Sequence, residues 1–102
     1  MYKLYIIKAN GTEEESTWTK AQYQDYKEFQ KLVYGPFQMV PHLTEYKDHT
    51  RGHAFVNEEG RLYPDKFPFN EKATKIWLDN LGKGPFSYKP ELFGTMVYYV
   101  KV

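Results

Sequence analysis

The chain has 102 residues, the usual size of one domain, so we expect a single domain spanning residues 1–102. Fourteen lysines and arginines oppose 13 acidic residues, and this near-neutral charge argues against nucleic-acid binding through a general basic surface. The chain has no cysteine, which excludes disulfides, a cysteine nucleophile and thiolate metal ligands. Because no apolar run resembles a signal peptide or a membrane span, we expect a cytoplasmic protein that does not act on a membrane.

The chain opens with a predicted strand over residues 2–9. Its apolar run Leu4-Tyr5-Ile6-Ile7 does not alternate with polar residues, which indicates a central strand covered on at least one side. Asn10-Gly11 is a strong turn pair and ends the strand. Residues 12–16, which include three consecutive glutamates, are interpreted as a polar, acidic loop.

The first helix is predicted from its boundaries and its apolar face. Thr19 and Gln22 have the spacing of a capping box, and Trp18 and Tyr23 have that of a hydrophobic staple. Gly35-Pro36 ends the helix, because glycine adopts the left-handed conformation and proline cannot continue a helix. The apolar face is formed by Tyr23, Tyr26, Phe29 and Val33.

The second half of the chain predicts three strands and one helix. The strands cover residues 37–40, 53–56 and 96–100, and a brief returning strand is predicted at Arg61–Tyr63. Asn70 caps the second helix, and Gly82-Lys83-Gly84-Pro85 ends it. The apolar stripe of this helix consists of Ala73, Ile76, Trp77 and Leu81.

The element order β-α-β-β-(β)-α-β indicates an α+β fold. We expect a mostly antiparallel sheet of four or five strands, with both helices packed on one face. This order is compatible with a ferredoxin-like, split βαβ arrangement.

Three groups of polar residues are candidates for chemistry. His42, His49 and His53 lie within twelve residues, but their spacing matches no zinc motif, and solvated loop histidines are the favoured interpretation. The glutamates at 13–15 are adjacent in a loop, so they do not provide the opposed carboxyls of a glycosidase. No nucleophile motif and no phosphate loop is present, so we expect no enzyme activity, no metal and no cofactor.

One turn stands out as a candidate binding site. The segment Asn57–Arg61 groups amide, carboxylate and guanidinium side chains, and its simplest interpretation is a polar hairpin turn. We select five candidate binding residues from this turn and from the helix cap that follows it: Asn57, Glu58, Glu59, Arg61 and Asn70.

The chain resembles a small family known as domain of unknown function 3846, found in phages, bacteria and large DNA viruses. The resemblance covers nearly the full length and implies a viral or mobile-element accessory protein, without implying an activity. It rests on Ala9-Asn10-Gly11, on residues 32–40 and 68–74, on the most distinctive stretch Val56-Asn57-Glu58-Glu59-Gly60-Arg61-Leu62, and on Gly94-Thr95-Met96-Val97.

Three functions remain open from the sequence. The leading hypothesis is a non-catalytic module that binds a host or viral protein, in the cytoplasm of an infected cell if the resemblance holds. The second is a domain that binds or sequesters a nucleotide-like small ligand near Asn57, Glu58, Arg61 and Asn70. The third, not favoured, is single-stranded nucleic-acid binding by a sheet face, with Tyr5 and Phe55 exposed near Lys3, Lys8 and Arg61. The oligomeric state is not indicated.

Overall fold

The structure is a computed structural model that describes residues 1–18, 26–82 and 90–102. Within these ranges it confirms an α+β fold of five strands and two helices. A short 3-10 helix, Gly60–Leu62, follows the fourth strand. The strands are β1 (Tyr2–Ile7), β2 (Glu13–Trp18), β3 (Phe37–Met39), β4 (His53–Asn57) and β5 (Met96–Lys101), and the helices are α1 (Tyr26–Val33) and α2 (Glu71–Leu81).

The five strands form one antiparallel sheet in the order β2-β1-β5-β4-β3. The last strand of the chain, β5, therefore lies at the centre, where Tyr98 is opposite Tyr5 of β1 on one side and Ala54 of β4 on the other. In a ferredoxin-like sheet, the two strands joined by a helix run in the same direction and have another strand between them. Here β4 and β5, which α2 joins, are adjacent and antiparallel, so this expectation is wrong. In addition, β1 continues into a hairpin with β2 instead of passing directly to a helix.

The acidic segment predicted as a loop is largely strand β2, at one edge of the sheet. The turn before it is confirmed: Gly11 has a φ of 92°, and the Lys8 amide donates to the Thr12 carbonyl at 2.9 Å. Lys3 on β1 pairs with Glu15 on β2 at 3.4 Å. Such cross-strand charge pairs allow a sequence with low strand propensity to occupy an exposed edge.

The two helices cover opposite faces of the sheet, which corrects the expectation that both lie on one face. Side chains of β1 alternate between two separate core clusters: Tyr5 and Ile7 pack in the cluster of α2, and Leu4 and Ile6 in that of α1. All four are buried. Since β1 is apolar on both sides, each face needs its own cover, and the prediction of a covered central strand is confirmed.

The observed end of α1 agrees with the sequence. The helix ends at Val33, Gly35 has a φ of 144°, and the Gly35 amide donates to the carbonyl of Gln30 at 2.8 Å. The helix therefore ends where Gly35-Pro36 predicted, but the left-handed residue directly after it is Tyr34, with a φ of 65°. The predicted capping box of Thr19 and Gln22 and the staple partner Tyr23 lie outside the described residues.

The boundaries of α2 are also confirmed. The side-chain oxygen of Asn70 accepts a hydrogen bond from the amide of Ala73 at 2.9 Å, the geometry of an N-cap. Gly82 has a φ of 74°, and its amide donates to the Leu78 carbonyl at 3.1 Å. The other residues of the predicted stop, 83–85, lie outside the described part of the chain.

The brief strand predicted at Arg61–Tyr63 is instead mostly the 3-10 helix. The amide of Leu62 donates to the carbonyl of Glu59 at 3.0 Å, a local bond that replaces pairing with a strand. Gly60 is buried, and a Cβ added there would lie 3.1 Å from the carbonyl oxygen of Phe93. A side chain at position 60 would therefore be in tight contact with the segment around Phe93.

Candidate functional site

An open groove of about 470 Å³ lies beside the turn that follows β4. Its floor is apolar and is formed by Val56, Trp77, Leu92 and Phe93, from three separate parts of the chain. Val56, Trp77 and Leu92 are buried, and the indole nitrogen of Trp77 donates to the carbonyl of Pro41 at 2.8 Å. The volume falls in the range of sites that take a small molecule or a large side chain.

Asn57 fixes the position of the turn at one side of the groove. Its amide nitrogen donates to the carbonyl of Val33 at 3.0 Å, and its side-chain oxygen accepts from the amide of Glu59 at 2.8 Å. The Glu58 amide donates to the carbonyl of Pro36 at 2.9 Å. The turn is therefore attached to the end of α1. Asn57 is buried, and its polar atoms serve the fold.

On the other side of the groove from Asn57, the segment that contains Leu92 is held in place by α2. The backbone amide of Leu92 donates to the Thr74 hydroxyl at 2.9 Å, and its carbonyl accepts from the Asn70 amide at 2.8 Å. The Asn70 side chain donates to the carbonyls of Ile7 and Gly94 at 3.0 and 2.7 Å. Asn70 thus joins β1, α2 and the segment before β5, which makes the groove a preformed feature.

The rim of the groove carries two carboxylates and one guanidinium, from Glu58, Glu91 and Arg61. None of the three forms an ion pair within the described residues. Arg61 instead lies 6.0 Å from the centre of the Phe93 ring and donates to the backbone carbonyl of Glu91 at 3.4 Å. The rim therefore has an excess of one negative charge, and its charges are free to meet a ligand.

The structure brings three of the five candidate binding residues together at the groove: Asn57, Glu58 and Arg61. Glu59 is exposed but does not line the groove. Asn70 is fully buried, does not line the groove, and has its side chain committed to the N-cap and to two carbonyls. Its side chain therefore contacts no ligand in the groove, although its backbone positions one wall.

Sequence reasoning missed most of the apolar part of the site. Trp77 was predicted only as part of the apolar stripe of a helix, and Leu92 and Phe93 lie between the second predicted helix and the last predicted strand, where no element was predicted. Leu62 lines the groove with 71% of its surface exposed. The one available signal was an apolar residue directly beside Arg61 in an otherwise polar turn.

A second polar cluster surrounds Glu13 on β2. The Tyr46 hydroxyl donates to its carboxylate, and the amino groups of Lys47 and Lys72 lie 2.8 and 3.6 Å from it. Burial alone would raise the pKa of the Glu13 carboxyl, but the bonds from Lys47 and Tyr46 and the charge of Lys72 outweigh it and hold the pKa below its usual value. The carboxylate is thus fully engaged in tying β2 to neighbouring segments.

The three histidines do not converge. His49 has its Nε2 atom 3.2 Å from the hydroxyl of Tyr5, His53 packs against the ring of Tyr99, and His42 is exposed. Within residues 1–18, 26–82 and 90–102, no three side chains of metal-binding type are placed to share an ion.

The rings proposed for base stacking do not share a surface. Tyr5 lies in the cluster under α2 and is 3% exposed, whereas Phe55 packs against the cluster under α1. The two rings are on opposite faces of the sheet, so they cannot form one platform for successive bases. The expectation that both rings are exposed on a free sheet face is therefore wrong.

Comparison of the chain with protein-family models, with curated proteins and with solved structures gives no match. No helix in the described ranges combines the length and the apolar character that a membrane crossing requires.

Proposed function

We propose that this protein is a non-catalytic binding module that holds a large apolar side chain of a partner protein in the groove beside Asn57–Arg61. The observation that carries the proposal is an apolar floor, formed by buried residues such as Trp77 and Leu92, that opens to the surface next to the exposed Leu62. Interfaces gain most of their affinity from an anchor that fills such a site inside a polar rim.

The rim favours a protein partner over a nucleotide. A nucleotide brings several negative charges, and Glu58 and Glu91 would repel them, while Arg61 is the one cation among the described residues that line the groove. These described lining residues also include no serine, threonine, histidine or lysine, which supports binding as the role of the groove. The family resemblance extends the proposal to a viral or mobile-element accessory protein that acts on a host or viral protein.

The test is quantitative affinity capture from cells of the source organism, with three baits. Burial of a leucine contributes about 1.5–3 kcal/mol, so Leu62→Asp should reduce capture of the partner roughly ten- to a hundredfold. Val102→Asp is the matched control, because Val102 is 61% exposed and does not line the groove. A partner retained by the wild-type chain and by Val102→Asp, and lost with Leu62→Asp, supports the proposal. Equal capture by all three baits contradicts it.

The volume of the groove also favours a second candidate, a small ligand that is neutral or cationic. A volume of about 470 Å³ suits such a molecule, and the acidic rim would select against phosphates. Native mass spectrometry of protein purified from its own cells would detect a bound mass. A ligand that is lost on Glu91→Gln substitution, with no protein captured, would replace the leading proposal with this one.

A further inference from the structure

Two neighbouring residues beside the groove, Arg61 and Leu62, have the chemical character of a ligand that the groove would bind. Leu62 is the most exposed large apolar residue of the described chain, at 71%, and it directly follows Arg61. An exposed leucine of this kind is a ready anchor for an apolar site. Next to it, the Arg61 guanidinium has no carboxylate partner in the described part of the chain.

The groove offers the matching features on the same patch of surface. Its floor of Val56, Trp77 and Leu92 is apolar, and Glu58 and Glu91 at the rim have no ion-pair partner among the described residues. A patch that contains an apolar projection, an apolar recess and charges of both signs is complementary to a second copy of itself. A two-fold interface has this requirement, because the same patch must meet on both subunits.

We propose that two copies of this chain associate through the groove, with Leu62 of each copy in the groove of the other and Arg61 of each copy against Glu58 and Glu91 of the other. This inference rests on the proposed function, since it uses the same groove and names a second copy as one of its ligands. It implies that a foreign partner competes with self-association.

The interface is small, so the association is weak. Eleven residues line the groove, whereas a stable interface usually involves roughly 20–30 residues on each side. We therefore expect a dissociation constant of roughly 0.1–1 mM, and a rapid exchange between monomer and dimer.

Sedimentation velocity of the full chain over about 10 µM to 1 mM measures this equilibrium, because the weight-average sedimentation coefficient rises as dimer forms. The wild-type chain and the control Val102→Asp should show the rise. Leu62→Asp should weaken the association by at least about tenfold, so its sedimentation coefficient should stay well below that of the wild-type chain at the upper end of this range. Circular dichroism verifies that each variant is folded, which is expected because the substituted side chains are exposed.

A charge-exchange experiment distinguishes specific association through this interface from non-specific association. Arg61→Glu alone places acid against acid, and a Glu58→Arg, Glu91→Arg double variant places base against base, so each should be monomeric by itself. In a two-fold arrangement, a mixture of the two variants restores both sets of opposite charges. The mixture should therefore form a heterodimer with an affinity within about tenfold of that of the wild-type homodimer.

The outcomes distinguish this inference from the proposed function. A wild-type chain that stays monomeric at about 1 mM, or a Leu62→Asp variant that associates as strongly as wild type, overturns self-association while leaving capture of a foreign partner possible. A mixture that remains monomeric overturns the two-fold pairing of Arg61 with Glu58 and Glu91. Failure of the proposed function appears separately, as partner capture that Leu62→Asp does not change.

Discussion

The sequence predicts Asn70 as a helix N-cap, and the structure shows that its side chain also links distant segments of the chain. Its N-cap function follows from its position before an amphipathic helix. The two further bonds, to the carbonyls of Ile7 and Gly94, depend on which segments the fold brings together. No spacing rule predicts those partners, because they lie 63 and 24 residues away along the chain.

We expect Asn70→Ala to destabilise the protein by about 2–4 kcal/mol, since it removes a helix cap and leaves two buried carbonyls without a donor. Urea unfolding monitored by circular dichroism measures this loss. Asn10→Ala is the comparison, because Asn10 also bonds its own turn but is exposed, and its loss should remain under about 1 kcal/mol. Equal losses at the two sites would show that the buried network contributes little.

Gly52 is a second residue whose structural role could not be predicted from the sequence. Its φ angle does not require glycine, yet a Cβ added to it would overlap the ring of Tyr98, which is fully buried. The Tyr98 hydroxyl donates to the carbonyl of Thr44 at 2.8 Å, and the amide of Gly52 donates to the same carbonyl at 3.0 Å. The ring therefore cannot move without breaking its hydrogen bond to Thr44.

Gly52→Ala should consequently destabilise the fold by about 2 kcal/mol or more, through overpacking in the core. A double-mutant cycle with Tyr98→Leu checks the mechanism, because removal of the tyrosine ring should make the alanine substitution much less costly. Calorimetric melting of the four proteins gives the coupling energy. Additive changes in the free energy of unfolding would mean that the Tyr98 ring and the alanine methyl group at position 52 do not compete for the same space.

At the scale of elements, the sequence predicted those that carry strong local signals and missed one that does not. Strands β1 and β5, the end of α1 and both ends of α2 follow from apolar runs, glycine stops and a capping asparagine. Strand β2 was missed because a run of glutamates has low strand propensity, and its pairing depends on lysines in other segments. The placement of one helix on each face is likewise a tertiary property that periodicity does not encode.

The attachment of β2 through Glu13 gives the protein a specific sensitivity to acid. A carboxyl whose pKa is held below its unfolded value of 4.5 stabilises the fold fully above that value, and this contribution is lost as the pH falls through the folded pKa. Glu13→Gln should therefore be less stable than wild type near neutral pH, by roughly 1–2 kcal/mol, with the difference shrinking below about pH 4.5.

Thermal melting between about pH 3 and pH 7 measures this difference across the relevant range. Glu14→Gln is the matched control, since Glu14 lies on the same strand and pairs with Lys8 at 3.0 Å but is exposed. An exposed pair contributes only about 0–1 kcal/mol, so this variant should follow the wild-type profile closely. A Glu13→Gln profile parallel to that of wild type at all pH values would refute the linkage.

At the scale of the whole molecule, the two ends of the chain meet in the middle of the sheet. Tyr2 is paired with Lys101, and the amide of Val102 donates to the carbonyl of Met1 at 3.0 Å. The pairing of β1 with β5 thus joins residues at the greatest separation along the chain. Such non-local contacts slow folding, because the chain must close a large loop before they form.

A circular permutant tests this account. The ends are joined by about two glycines, and new ends are opened in the exposed turn at Asp65-Lys66, between the 3-10 helix and α2. In this order β5 and β1 become a local hairpin, and the β1–β2 hairpin is kept. The permutant should keep the wild-type circular dichroism spectrum and refold several-fold faster in stopped-flow experiments. Refolding at the wild-type rate would show that closure of the β1–β5 pair is not limiting.

Because a helix covers each face of the sheet, the two central strands β1 and β5 should tolerate few substitutions. In a sheet with one solvent-exposed face, every second strand position accepts polar residues. In this protein, by contrast, residues 4–7 and 96–100 are all buried. A saturation mutagenesis scan scored by folded yield should therefore show unbroken intolerance along these two strands. Permissive positions should concentrate on the exposed residues of β2 and of the 3-10 helix, which are Glu14, Glu15, Thr17, Arg61 and Leu62. New surface chemistry can evolve at these positions without disturbing the interior.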